Sequence, residues 1–199
     1  MKKQSELLNA DYWSSRYKNN DTAWDMGRVS PPLKDYFDQL ADKTISILIP
    51  GCGNAYEAAY LLENGFTNIT LIDISPVLVE KLKTSLAVYL GKELTVICGD
   101  FFTLNQTFNL VIEQTFFCAI DPSLRIKYVE KMKDLLAPTG KLVGVFFNRA
   151  FEGGPPFSGS EAEYRRLFKN NFHIKIMGEC YNSISPRKGS ELFVILQKL

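Results

Sequence analysis

The chain has 199 residues, and 23 Lys and Arg against 22 Asp and Glu give a formal net charge of +1. A composition that is 46% hydrophobic and 23% charged is typical of globular proteins and excludes a disordered chain, a collagen or a disulfide scaffold. The near-neutral balance disfavours a dedicated nucleic-acid binder. Because no apolar run reaches the roughly 20 residues of a membrane helix and no secretory signal is visible, a cytoplasmic protein is expected.

The cysteines and the single histidine narrow the chemistry. The four cysteines form no C-x-x-C pair and show no zinc spacing, which predicts reduced and mostly buried thiols. His173 is the only histidine, so a Ser-His-Asp triad and a histidine-rich metal site are both disfavoured. The sequence therefore predicts no metal centre.

Strands and helices alternate along the chain from Ile45, after an N-terminal stretch that is polar and aromatic. Apolar runs predict strands at 45–49, 69–72, 94–98, 108–112, 142–147, 172–177 and 191–196. The last two are joined by a turn-rich stretch without a helix, so they are expected to be antiparallel neighbours. The other strands are separated by helices, which predicts a mostly parallel sheet with ligands at the carboxyl ends of its strands.

Capping residues predict where these helices begin. The expected helix starts are Asn54, Ser75, Asp121 and Ser160. Glu57 stands in a capping-box position for the first of these helices. The helix that opens at Asp121 is expected to end at Pro138-Thr139-Gly140, before the fifth strand.

A glycine pair and a following aspartate indicate a nucleoside site. Gly51 permits an unusual turn after the first strand, and Gly53 lets a ligand approach the main chain closely. Asp73 ends the next strand 20 residues after Gly53, the spacing of a carboxylate that accepts hydrogen bonds from a ribose diol. Ala55-Tyr56 replaces the third glycine of a dinucleotide fingerprint, which favours a nucleoside without phosphates.

Further polar and aromatic residues suit such a ligand. Asp100 follows the third strand, where its carboxylate can accept from an adenine amino group, with Phe101 beside the ring. Trp13 and Tyr17 are four residues apart, so they share one face if the segment is helical. From the residues alone, this face serves equally well to pack on the core or to contact a cationic ligand.

These motifs together resemble the thiopurine S-methyltransferase family of class I S-adenosylmethionine-dependent methyltransferases. The matching stretches are Trp13-x-x-x-Tyr17, Asp21–Arg28, Ile49–Gly53, Leu71–Ser75, Gly99–Phe102, Gln114–Ile120, Gly153–Phe157 and Arg187–Glu191. The segment from Thr115 to Ile120 looks closer to the thiol and halide methyltransferase branch. The thiopurine enzymes usually carry an arginine at the position of Gln114, which weighs against a thiopurine as the natural substrate.

The resemblance implies a fold, a cofactor and a set of site residues. The fold is a Rossmann-like α/β sandwich, with a mostly parallel seven-stranded sheet and a reversed C-terminal hairpin. One methyltransferase domain would span 1–199, with an aromatic lid segment (1–43) before the α/β core (44–199). S-adenosylmethionine would be the cofactor. By family position it would be bound by Trp13, Tyr17, Trp24, Gly51, Gly53, Asp73, Asp100, Phe101 and Gln114.

The acceptor is expected to be a small soft nucleophile such as a thiolate, bisulfide, thiocyanate or iodide, which needs no general base. Thr115 and Phe116 are expected to line its pocket. Arg187 is the preferred cation to attract an anionic acceptor, so its replacement by Ala should raise KM without changing cofactor affinity. Arg149 and Lys188 are further candidate cations.

Two features of the acceptor side stay open. Glu113 is a possible base, although a strand-end carboxylate facing solvent is the favoured interpretation. The Gly153–Phe157 loop is either a mobile lid or a rigid surface loop.

Four alternatives remain beside the leading hypothesis. They are an aromatic-thiol or thiopurine S-methyltransferase, an NAD-dependent oxidoreductase, a binding module without catalysis, and a nucleic-acid methyltransferase. The oxidoreductase is disfavoured by the missing glycine, and the nucleic-acid enzyme by the lack of an Asn/Asp-Pro-Pro-aromatic signature at Glu113–Phe116. A small-molecule or inorganic anion acceptor, a monomer, and no nucleic-acid or membrane partner are expected.

Overall fold

The computed structural model describes residues 8–199, and a mixed seven-stranded sheet forms its centre. The strands are β1 (Ile47–Pro50), β2 (Ile69–Asp73), β3 (Leu94–Cys98), β4 (Phe108–Gln114), β5 (Leu136–Phe147), β6 (Phe172–Glu179) and β7 (Glu191–Lys198). Their order across the sheet is β3-β2-β1-β4-β5-β7-β6. The first five strands pair in parallel, and β7 runs antiparallel to both β5 and β6. The predicted sheet with a reversed C-terminal hairpin is confirmed.

Helices cover both faces of this sheet. They are α1 (Ala10–Lys18), α2 (Pro31–Asp38), α3 (Tyr56–Glu63), α4 (Pro76–Ser85), α5 (Arg125–Leu135) and α6 (Glu161–Phe168). Ile47 and Ile49 of β1 join a buried cluster with α2, α3 and α4, whereas Leu48 joins a cluster with α5 and α6. Because successive side chains of a strand point to opposite faces, the two clusters form the two layers of an α/β sandwich.

Two of the predicted helix caps form as expected. The Ser75 hydroxyl accepts a hydrogen bond from the Leu78 N–H at 3.3 Å, and the Ser160 hydroxyl accepts one from the Glu163 N–H at 3.3 Å. These side chains satisfy N–H groups that the first turn of a helix leaves without an intrahelical partner. Ser75 therefore begins α4 directly after β2.

The predicted cap at Asn54 is wrong. Ala55 is the residue before α3, it lies in the left-handed region at φ 56°, and it makes no side-chain cap bond. The Asn54 amide instead donates to Asp25 and accepts from Lys81. Glu57 is likewise outside a capping box, because partners from the N-terminal segment compete successfully for both side chains.

The predicted helix end at Pro138-Thr139-Gly140 is also wrong. The helix α5 begins at Arg125, after a 3₁₀ turn at Pro122–Leu124 that Asp121 caps, and β5 starts at Leu136. The Pro138–Gly140 turn lies inside β5 as an irregularity in its pairing with β4. A Cβ at Gly140 would lie 2.9 Å from the Ala137 carbonyl oxygen of the same turn and 3.1 Å from the Phe108 carbonyl oxygen of β4, so the backbone leaves no room for a side chain.

The N-terminal elements pack on the core. The helix α1 contacts α4, and the hydroxyls of Ser14 and Ser75 lie 3.0 Å apart. The helix α2 contacts α3 and β5. The division of the chain at residue 43 stays a prediction. Within residues 8–199, no helix combines the length and the apolar character needed to cross a membrane.

Candidate active site

A cavity of about 670 Å³ lies at the carboxyl ends of β1, β2 and β4. This volume falls within the range of small-molecule sites, and the position is the one expected in an open parallel sheet. The structure brings all the predicted site residues to its lining. They are Trp13, Tyr17, Trp24, Gly51, Gly53, Asp73, Asp100, Phe101, Gln114, Thr115, Phe116 and Arg187. Their individual roles stay predictions.

The turn after β1 requires its glycines. Gly51 and Gly53 have φ values of 55° and 52°, in the left-handed region that favours glycine. A Cβ at Gly51 would lie 2.2 Å from Cδ2 of Phe116, whereas one at Gly53 would have the Tyr17 hydroxyl as its nearest neighbour at 3.8 Å. Gly51 therefore lets the segment after β4 pack directly on the turn.

Asp73 places a buried carboxylate in the lining. Its residue surface is 8% exposed, and its Oδ1 accepts from the Ser75 N–H at 2.9 Å. Burial raises the pKa of Asp73 to about 6, although backbone N–H groups partly oppose this shift. A ribose diol would supply two further donors and stabilise the charged form.

Asp100 and Phe101 lie beside each other after β3. The Asp100 carboxylate accepts from the Phe102 N–H at 2.8 Å, which fixes the 3₁₀ turn at Phe101–Thr103. The buried Phe101 ring contacts the Phe116 ring edge-on, with 5.2 Å between centroids. Phe102 is half-buried and packs against the core cluster that contains Phe101.

Aromatic rings from the N-terminal segment form one side of the cavity. Trp13 and Tyr17 lie on one face of α1, and both meet the Trp24 ring edge-on at 5.6 and 5.9 Å between centroids. Arg16 lies over the Trp24 ring at 5.0 Å and also lines the cavity. Arg16 was not among the predicted site residues, because its position between Trp13 and Tyr17 indicates no function by itself.

The Gln114 amide bears most directly on what the cavity can bind. Both its nitrogen and its oxygen are buried, and neither has a hydrogen-bond partner within residues 8–199. Buried polar atoms in native proteins almost always have partners, because leaving them without one costs free energy. A ligand with both a donor and an acceptor, such as the amino-acid end of S-adenosylmethionine, fits this amide.

Glu113 is not a solvent-facing carboxylate, so the favoured interpretation of it is wrong. It is 1% exposed, and its Oε1 accepts from the N–H groups of Phe116 and Phe117 at 2.7 and 2.6 Å. Burial raises the pKa of Glu113 to about 8. Glu113 does not appear in the cavity lining, and its two bonds to backbone N–H groups hold the turn after β4. Its role as a base stays a prediction.

Arg187 is a buried cation rather than a surface one. It is 9% exposed and pairs with Glu191 at 3.3 Å. Its second terminal nitrogen donates to the Trp24 carbonyl oxygen at 2.6 Å, and the guanidinium lies over the Phe147 ring at 5.3 Å. Lys188 lies outside the cavity, and no sequence spacing pointed to Glu191 or Phe147.

Arg149 and the loop that follows it also reach the cavity. Arg149 is exposed and lies over the Phe151 ring at 4.8 Å. The loop is fastened on both sides of its glycines, since the Phe151 N–H donates to the Ser158 hydroxyl and the Phe157 N–H donates to the Cys118 carbonyl, both at 2.7 Å. Whether the loop moves stays a prediction.

Comparison with known proteins decides the family. The family profile described as thiopurine S-methyltransferase (TPMT) matches residues 8–195. The chain belongs to the thiopurine S-methyltransferase family. As a member of this family, it is an S-adenosylmethionine-dependent methyltransferase.

Three relatives of the thiopurine S-methyltransferase family show how this chain compares. "Probable thiol methyltransferase 2" of Arabidopsis thaliana is 29% identical, covering 90% of this chain and 81% of its own. "Thiocyanate methyltransferase 1" of Brassica oleracea is also 29% identical, covering 94% and 84%. "Thiopurine S-methyltransferase" of Photobacterium profundum is 28% identical, covering 81% and 83%.

Solved structures share the fold of this thiopurine S-methyltransferase family member. A Burkholderia thailandensis 1,6-didemethyltoxoflavin-N1-methyltransferase, solved with S-adenosylhomocysteine, gives a TM-score of 0.74 at 19% identity and covers 97% of this chain and 88% of its own. A Synechocystis magnesium protoporphyrin IX methyltransferase, solved with bound cofactor, gives 0.74 at 15% identity and covers 100% and 99%. Both likenesses confirm the class I methyltransferase architecture.

Proposed function

We propose that this enzyme methylates a small soft nucleophile, namely a thiol, bisulfide, thiocyanate or halide. The observation that carries the proposal is the buried Arg187 guanidinium, which lies over the Phe147 ring and lines the same cavity as Phe116. Such a surface favours polarisable anions, which lose little hydration on entering an apolar site and gain from a nearby positive charge. The printed names of the thiol and thiocyanate methyltransferase relatives support the same class of acceptor.

The residues that line the cavity suit S-adenosylmethionine. We assign the amino-acid end to Gln114 and the Gly51–Gly53 turn, and the ribose to Asp73. Asp100 and Phe101 take the adenine. When bound, the cofactor would supply an electrophilic methyl group on a positively charged sulfur, with S-adenosylhomocysteine as the leaving group.

The N-terminal aromatic rings perform two tasks in this proposal. The faces of Trp13, Tyr17 and Trp24 attract the positive sulfonium, since aromatic rings carry negative potential on their faces. The same rings keep water away from the reacting atoms. Burial raises the pKa of Tyr17, so its phenol stays a neutral hydrogen-bond donor.

The acceptor side positions its substrate without a protein base. Thr115 and Phe116 form the part of the lining next to the Gly51 turn. Arg187 holds the anionic acceptor by charge and hydrogen bonding. Because a thiolate or a halide is already a nucleophile, positioning accounts for the rate in this scheme.

A second candidate function is the methylation of aromatic thiols, thiopurines included. Phe116, Phe147 and Phe151 supply ring surfaces suited to a planar acceptor. A relative named thiopurine S-methyltransferase supports this reading. A monomeric state, a cytoplasmic location and the lack of nucleic-acid or membrane partners stay predictions beside both candidates.

Production of S-adenosylhomocysteine with a panel of acceptors tests the proposal. The panel is iodide, bromide, thiocyanate, bisulfide, thiophenol and a thiopurine. Turnover of the inorganic anions supports the leading candidate, and turnover of the bulky thiols alone supports the second. If the cofactor binds tightly and no acceptor reacts, the acceptor class is wrong.

A further inference from the structure

One hydrogen bond joins two residues that the proposed function places on different sides of the cavity. Arg187 lies in the 3₁₀ turn between β6 and β7, and Trp24 lies in the N-terminal segment, 163 positions earlier in the chain. The guanidinium donates to the Trp24 carbonyl oxygen at 2.6 Å, a short distance for a charge-assisted bond. In the proposed function, the same guanidinium therefore serves the acceptor side and contacts the segment that covers the cofactor.

The orientation of Arg187 depends on two partners. Glu191, at the start of β7, is buried and accepts from one terminal nitrogen at 3.3 Å. The Trp24 carbonyl accepts from the other terminal nitrogen. Since Glu191 is held in register opposite Phe147, the first partner is fixed by the sheet, whereas the second belongs to the N-terminal segment.

We call residues 10–30 the cover segment, and further hydrogen bonds fasten it to the core. The hydroxyls of Ser14 and Ser75 lie 3.0 Å apart, the Ser30 N–H donates to Glu57 at 3.0 Å, and Asp25 accepts from Asn54. None of these links involves the turn that carries Arg187. The bond from Arg187 to Trp24 therefore differs from them, because it connects the cover segment directly to the turn that carries Arg187.

We propose that Arg187 couples closure of the cover segment to completion of the acceptor site, so that cofactor and acceptor bind with positive cooperativity. This inference rests on the proposed function, because it needs both ligands to share the cavity. When the segment closes over the cofactor, Trp24 fixes the guanidinium in the geometry that binds an anion. By linkage, an anion that binds this geometry raises the affinity for the cofactor by the same factor by which the cofactor raises the affinity for the anion.

The bond to Trp24 changes what is expected when Arg187 is replaced. Replacement of Arg187 was expected to raise KM for the acceptor and leave cofactor affinity unchanged. The Trp24 bond implies that both change together, because removing the guanidinium also removes a fastening of the cover segment.

The experiment measures S-adenosylhomocysteine affinity by titration calorimetry, with and without saturating thiocyanate. S-adenosylhomocysteine carries no methyl group to transfer, so the ternary complex does not react. In the wild type, thiocyanate should raise the affinity for S-adenosylhomocysteine by at least about fivefold, within the usual range of coupling between sites. If the enzyme methylates thiophenol and not thiocyanate, thiophenol is the probe.

Two Arg187 variants and one matched control separate coupling from simple loosening. Arg187→Gln leaves Glu191 buried without its charge partner, so Arg187→Lys, which keeps the charge and loses the two-pronged geometry, is measured beside it. In both variants, the ratio of the S-adenosylhomocysteine affinity with thiocyanate to the affinity without it should fall to about one. Ser14→Ala loosens the cover segment away from the acceptor side, so it should weaken S-adenosylhomocysteine and keep the wild-type ratio.

Hydrogen exchange of residues 10–30 gives a second readout. S-adenosylhomocysteine should slow exchange there in the wild type, thiocyanate should slow it further, and the second effect should vanish in both Arg187 variants. A wild-type ratio of one with an acceptor that the enzyme methylates would overturn the coupling alone. So would an Arg187→Lys variant that keeps the wild-type ratio. Absence of S-adenosylhomocysteine binding to the wild type would overturn the proposed function itself.

Discussion

Asp73 concentrates the ribose contact of the proposed site in one buried carboxylate. Hydrogen bonds to a charged group contribute about 1.5–3 kcal/mol, which corresponds to roughly a 10- to 100-fold change in affinity. Asp73→Ala should therefore weaken S-adenosylhomocysteine by about that factor in titration calorimetry. Asp134→Ala, at an exposed position of α5, is the control. Unchanged affinity in Asp73→Ala would remove Asp73 from the site.

Gly51 and Gly53 form a matched pair, because both have a positive φ and only Gly51 lacks space for a methyl group. An alanine at either position costs roughly 1–2 kcal/mol of backbone strain. Gly51→Ala adds a clash with Phe116, and overpacking of this kind typically costs a further 1–3 kcal/mol or so. Urea unfolding should show the larger loss in Gly51→Ala. Equal losses would mean that Phe116 moves aside freely.

The turn after β4 depends on Glu113, and this gives a pH dependence. The native state holds the Glu113 proton up to about pH 8, whereas an unperturbed Glu releases it near 4.5. Stability falls with rising pH wherever the native state binds more protons than the unfolded chain. The free energy of unfolding of the unliganded protein should therefore fall as pH rises from about 5 to about 8. Asp73, with a pKa of about 6, contributes only to the lower part of this range.

Glu113→Gln tests that assignment at the level of the turn. The glutamine oxygen can still accept from the Phe116 and Phe117 N–H groups, and it has no proton to release. The slope of unfolding free energy between pH 6 and pH 8 should be shallower in this variant. Glu179→Gln, at an exposed position of β6, should keep the wild-type slope. A wild-type slope in Glu113→Gln would show that other groups carry the dependence.

The elements that the sequence predicts well are those whose signals are local. Apolar runs identify every strand of the sheet, and the hydroxyls of Ser75 and Ser160 cap helices whose first turns follow them directly. The prediction that Asn54 caps α3 was wrong because Asp25 and Lys81, which are distant in sequence, bind its side-chain amide. The predicted end of α5 was wrong for a similar reason, since pairing with β4 extends β5 back to Leu136.

At the scale of the molecule, the cavity is built from parts that lie far apart in the chain. Its cofactor side was predictable, because residues after parallel strands meet at one sheet edge and the motifs resemble a known family. The partners of Arg187 were not predictable, because Glu191 and the Trp24 carbonyl oxygen meet it only in the folded chain. Because every residue has a backbone carbonyl oxygen, no sequence pattern identifies the one that binds Arg187.

Ligand binding should stabilise the whole molecule. S-adenosylhomocysteine at 100 times its Kd stabilises the native state by about 2.7 kcal/mol, which raises Tm by roughly 5–11 °C for a chain of this size. A thermal shift assay checks this, with Asp73→Ala giving a smaller rise at the same concentration. NADH should give no rise, and a larger rise with NADH would revive the oxidoreductase alternative.

The bond between Trp24 and Arg187 also constrains the order in which contacts form during synthesis of the protein. On the ribosome, residue 24 emerges long before residue 187, and domains fold from the N-terminus as they are made. The links of the cover segment to Asn54, Glu57 and Ser75 can form earlier, but its bond to Arg187 cannot form until the final hairpin has been translated. Contacts between residues this far apart close slowly, so recovery of ligand binding should trail recovery of secondary structure when the unfolded chain is refolded.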